Sequence, residues 1–162
     1  MKNVLLSMIV LLSFQVSAGE KMECFTRNIP AGFYCQGAVS PHDLAATLLP
    51  NAPNPAYIVR GCMANQGAPA PAEGFGLWSM GVDRNSEYYN ASGYPATQNG
   101  PLDKVIQIGK LDLLQGQPRE NCMQMDPPVK FTQGQDRIIL NFDCAGSFHA
   151  YPTFQICWKE AE

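Results

Sequence analysis

Two histidines and six cysteines carry most of the chemistry open to this chain. His42 follows Ser40-Pro41 and falls in the first turn of a predicted helix, where it reads as a solvated surface residue. His149 lies in Gly146-Ser147-Phe148-His149-Ala150-Tyr151 between two predicted strands, and by residue type alone reads as a loop histidine. The cysteines stand at positions 24, 35, 62, 122, 144 and 157. None has a second cysteine at zinc-ligand spacing, and the histidines form no zinc-type pair. There is no phosphate-cradling glycine loop, no His-Glu-x-x-His and no Gly-x-Ser-x-Gly. The residues therefore imply no metal and no cofactor, and point the cysteines toward disulfides.

The start of the chain supports that assignment. Lys2 precedes an apolar run over 4–14, and Val16-Ser17-Ala18 gives a small-x-small ending. This is the layout of a secretory signal peptide over 1–18, cleaved between Ala18 and Gly19. The run is shorter than the roughly 20 residues a bilayer-spanning helix needs. No later segment is apolar and long enough to replace it, so no membrane attachment is expected after cleavage. Residues 19–162 then form one domain, with all six cysteines inside it. An even cysteine count in an exported chain implies three bridges, with many pairings open.

Without Lys2, ten basic residues face fourteen acidic ones, a formal charge of −4. No lysine or arginine cluster stands out, which argues against tight non-specific binding of nucleic acid through its phosphates. Asn90-Ala91-Ser92 is a glycosylation sequon among Tyr, Asn, Ser and Gly, as in a surface loop.

The elements that would position these residues can be read in outline. A helix is predicted over 41–49. Ser40 caps it, Pro41 fits its first position, Asp43 suits the positive end, Leu44 and Leu48 share a face, and Pro50 ends it. Strands are predicted over 57–59, 76–80, 104–108, 136–142 and 154–158. The run Ile138-Ile139-Leu140 predicts a strand covered on both faces. The stretch over 67–74 reads as an extended surface loop. One early helix followed by strands predicts an α+β fold, with the helix packed on an antiparallel sheet.

Several pieces resemble the small guanyl-specific ribonucleases of filamentous fungi. Phe33-Tyr34-Cys35 leading into Ser40-Pro41 is similar to their first strand and Ser-capped helix. Gly134-Gln135-Asp136-Arg137-Ile138-Ile139 resembles their Gly-x-Asp-Arg-Val strand. Ala145-Gly146, His149 and Phe154-Gln155-Ile156-Cys157 resemble their end. The resemblance implies a microbial-ribonuclease-like fold, a Cys35–Cys157 bridge, Arg137 facing the phosphate and His149 as general acid. Tyr94-Pro95 matches the start of the family's Tyr-Pro-His triplet, but Ala96 stands where the histidine belongs. Tyr94 would then line a residual binding pocket. The carboxylate base has no clear counterpart, with Glu87, Asp103 and Asp112 as candidates. Losing two of four groups that act as a unit argues against catalysis. Cys62–Cys122 and Cys24–Cys144 complete the expected bridges.

Phe33-Tyr34-Cys35, soon after the cleavage site, and Gly93-Tyr94-Pro95-Ala96-Thr97 also resemble the RNase-like secreted effectors of powdery mildew fungi, many of which lack the catalytic set. That likeness implies a secreted, non-catalytic virulence protein binding a host protein or RNA, outside host cells or delivered into them. An active guanyl-preferring endoribonuclease is the first alternative. An extracellular binding or inhibitor domain unrelated to ribonucleases is the second.

Overall fold

A computed structural model describes residues 21–28, 33–36, 49–66, 75–87, 105–114, 119–145 and 147–159. Nine strands run through them: β1 Met22–Asn28, β2 Phe33–Gln36, β3 Ala56–Asn65, β4 Phe75–Asp83, β5 Ile106–Asp112, β6 Glu120–Phe131, β7 Arg137–Ala145, β8 Ser147–Ala150 and β9 Pro152–Lys159. A 3₁₀ turn at Arg84–Ser86 follows β4. One antiparallel sheet has the order β1-β9-β3-β6 and another the order β5-β4-β7, while β2 and β8 form a two-stranded ribbon.

The α+β expectation is therefore overturned. Among the described residues there is no α-helix, and where the sequence predicts a helix to cover the sheet, a second sheet does so. The predicted helix over 41–49 lies outside the described residues except for Leu49. Leu49 is buried and starts a turn, its carbonyl accepting from the Ala52 N–H at 3.1 Å. Gln133 clamps that turn from the β6–β7 connection. Its Oε1 accepts from the Leu49 N–H at 3.0 Å, and its Nε2 donates to the carbonyls of Leu49 and Ala52.

Period-two alternation builds the shared core. Trp78, Met80 and Val82 of β4, and Ile138, Leu140 and Phe142 of β7, point from the three-stranded sheet. Ile58, Met63, Phe154, Ile156 and Trp158 meet them from the four-stranded one. Trp78 and Phe142 pack edge to face, their centroids 5.1 Å apart. Ile139 is as buried as its neighbours Ile138 and Leu140, so β7 is covered on both faces, as its apolar run predicts. The sheets come close together at Gly61, where an added Cβ would lie 2.0 Å from the Ile108 carbonyl oxygen. Only glycine lets β3 pass β5 at that distance.

Two cross-strand disulfides lie in the four-stranded sheet. Cys24 and Cys157 face each other across β1 and β9, and Cys62 and Cys122 across β3 and β6. Both pairs have a Cα–Cα distance of 4.0 Å. Cys62–Cys122 is as expected. Cys35–Cys157 and Cys24–Cys144 are not, because antiparallel register sets Cys24 directly opposite Cys157. The backbone of Cys35 instead lies opposite Phe148, in the β2–β8 ribbon.

Candidate functional site

The residues singled out by the ribonuclease resemblance do not gather on one element end. Arg137 opens β7, opposite Asp83 of β4. β7 then runs eight residues to Ala145, about 26 Å at strand rise. His149 comes four residues later. It stands in β8, opposite Tyr34 of β2, and not in the loop its surroundings predict. Tyr94, Asn90 and Asp103 lie outside the described residues. Glu87 is exposed and directly follows the 3₁₀ turn, on the Arg137 side. Asp112 ends β5 opposite Leu77, a residue that itself faces Asp143 near the far end of β7, and it pairs with Lys110 at 3.4 Å. The structure thus places Glu87 near Arg137 in the fold, and sets Asp112 and His149 toward the opposite end.

Arg137 sits in a tightly bonded corner. The Asp136 carboxylate is buried and accepts from the Thr132 N–H at 2.8 Å and the Asn85 N–H at 3.0 Å. It also pairs with Arg84 Nη1 at 3.1 Å, and the same guanidinium donates to the Lys130 carbonyl. Asn85 and Ser86 hold positive φ values of 54°, turning the chain back so that Ser86 Oγ donates to the Gln135 carbonyl at 2.9 Å. Arg137 Nε donates to that hydroxyl at 3.1 Å. Gly134, at φ +77°, takes the one left-handed position in the β6–β7 turn. The Gly-x-Asp-Arg segment is therefore a structural clasp, in which Asp136 supplies the acceptors for three donors, one in the β6–β7 turn and two in the 3₁₀ turn after β4.

A second cluster was not anticipated from the sequence. On the outer face of the four-stranded sheet, Cys24, Cys157, Arg60 and Gln124 stand in one cross-strand row. Thr26, Gln155, Cys62 and Cys122 stand in the next. Arg60 reaches this face through a β-bulge. Ile58 pairs with Trp158 but Arg60 with Cys157, so Val59 is the extra residue, and it turns Arg60 outward beside the bridge. Arg60 Nη2 donates to Gln155 Oε1 at 3.2 Å and lies 3.4 Å from Cys157 Sγ and 4.0 Å from Cys24 Sγ. Its Nε is buried without a hydrogen-bond partner. Gln155 Nε2 donates to Thr26 Oγ1 at 3.0 Å, and Thr153 Oγ1 to Asn28 Oδ1 at 2.9 Å. The result is a flat face of hydroxyls and amides with one guanidinium between two disulfides.

The signal for this cluster was in the sequence. Arg60-Gly61-Cys62 and Gln155-Ile156-Cys157 each put a polar residue and a cysteine two apart, hence on one strand face. Set antiparallel, the two triplets form a quartet. A strand predicted over 57–59 stops short of showing it.

Among the described residues no three His, Cys, Asp or Glu side chains gather as a metal site. No helix among them is long and apolar enough to cross a membrane. Compared with protein-family models and with curated protein sequences, the chain matches none.

Proposed function

We propose that the protein is an exported, disulfide-stapled binding domain, and that the outer face of its four-stranded sheet is the binding surface. The observation that carries this reading is the Cys24–Cys157 bridge. The ribonuclease resemblance needs Cys157 joined to Cys35, and a helix across the sheet. With Cys157 taken by Cys24 and a second sheet covering the first, the second alternative, a binding domain unrelated to ribonucleases, becomes the better account.

Export is supported by the signal-peptide pattern over 1–18 and by two bridges, which form and persist in oxidising compartments. A protein partner suits the face better than RNA. Rows of threonine, asparagine and glutamine with a single central guanidinium offer hydrogen bonds but little phosphate neutralisation.

Two measurements test this. The mature protein incubated with a guanosine-containing dinucleotide gives no turnover above a boiled control; turnover that vanishes in His149→Ala would return the enzyme reading. A photo-crosslinking residue at position 124 captures a partner that the same residue at position 77, exposed on the other sheet, does not. Equal capture at both positions counts against the face.

A further inference from the structure

The two disulfides of the four-stranded sheet form an internal experiment. Each joins a buried cysteine, Cys157 or Cys62, to an exposed one, Cys24 or Cys122. Each joins residues directly opposite in antiparallel strands, with equal Cα–Cα distance. They differ in their electrostatic neighbour. Arg60 Nη2 lies 3.4 Å from Cys157 Sγ, and the Val59 bulge holds it there.

We propose that Cys24 is a site of S-thiolation, and that Cys24–Cys157 exchanges with low-molecular-weight monothiols while Cys62–Cys122 stays closed. Cys24 is the exposed residue of the bridge, and its Sγ is the sulfur an external thiolate would attack. The lone pair of that thiolate forms a new S–S bond to Cys24, giving a mixed disulfide. The Cys24–Cys157 bond breaks and its electron pair leaves on Cys157 Sγ. The incoming sulfur is oxidised to the disulfide level and Cys157 is reduced to a thiolate. A leaving sulfur of lower pKa departs faster, and an adjacent guanidinium lowers a cysteine's pKa by stabilising the thiolate. Arg60 is placed for that role, with Gln155 Oε1 fixing the guanidinium at 3.2 Å. Arg60 is a positioning residue for the departing charge and forms no covalent bond. Attack at Cys157 is blocked, because that residue is fully buried.

The test uses the full mature chain with reduced glutathione near neutral pH. Samples are quenched with acid, alkylated and mapped by mass. The expected product carries glutathione on Cys24 and the alkyl group on Cys157, forming roughly tenfold faster than any opening of Cys62–Cys122. Arg60→Gln should remove most of that preference, and Arg60→Lys should keep part of it. Should Arg60→Gln fail to fold, Gln155→Glu serves instead: its carboxylate competes for the guanidinium and should slow the exchange. Glutathione found on Cys157, equal opening of the two bridges in the unsubstituted protein, or an unchanged preference in a folded Arg60→Gln or Gln155→Glu would each overturn the proposal.

Discussion

The two sheets are held together by different means. In the three-stranded sheet β4 and β7 bury large side chains, and Ile138, Ile139 and Leu140 are covered on both faces. In the four-stranded sheet the edge strands β1 and β6 are largely exposed along their length. Each disulfide joins one of those edges to a central strand, β1 to β9 and β6 to β3. These two links thus sit where burial in the four-stranded sheet is thinnest. A strand with few buried contacts opens locally at low cost, and a cross-link to a buried neighbour opposes that.

The largest effect expected from this contrast is loss of a staple. Cys24–Cys157 spans 133 residues and Cys62–Cys122 spans 60. In the chain-entropy model their removal costs at most about 5 and about 4 kcal/mol respectively. Paired substitution to alanine, followed by urea unfolding, measures both. A loss under 1 kcal/mol from either would mean that the ladders hold the edges without help.

Next comes the core of the other sheet. Phe142→Ala removes a fully buried ring that packs edge to face on Trp78, and should cost about 3–5 kcal/mol. Cost in that range with both bridges intact would show that burial, not cross-linking, sets the stability of that layer.

Smaller again is the corner clasp. Asp136→Ala leaves the partly buried bonds of the Thr132 and Asn85 N–H groups unmade and Arg84 without its carboxylate, for a loss of about 1–3 kcal/mol. Calorimetry on Asp136→Ala and Arg137→Ala separates the roles. The first should be clearly the more destabilised, and parity would make Arg137 more than a strut.

The smallest effect should come from the exposed edge. Gln124→Ala on β6 should change stability by no more than about 0.5 kcal/mol. A larger loss would show that this edge is packed more tightly than its exposure indicates.

What could be read from the sequence follows the same division. β7 was legible because an unbroken apolar run needs cover on both faces. β4, β5 and β9 were legible from shorter apolar or alternating runs. β6 was not, because Asp126-Pro127-Pro128 argues against a strand. Those residues are accommodated on an edge, where the register with β3 slips between Ile58–Val129 and Arg60–Gln124. β1 was not, since Phe25, packed on Phe154, is its one large half-buried side chain. The helix expectation rested on a local cap and spacing, which say nothing about what covers a sheet. Of the expected bridges, Cys62–Cys122 holds, while Cys157 follows its strand partner instead of the ribonuclease pattern. Arg60 was missed because one bulge residue, Val59, decides which face it takes.

The most direct test of this account is non-reducing peptide mapping of the protein. It should find Cys24 linked to Cys157 and Cys62 linked to Cys122, leaving Cys35 and Cys144 to each other by elimination. A Cys35–Cys157 peptide would contradict the account: it would detach β1 from its staple and restore the ribonuclease arrangement.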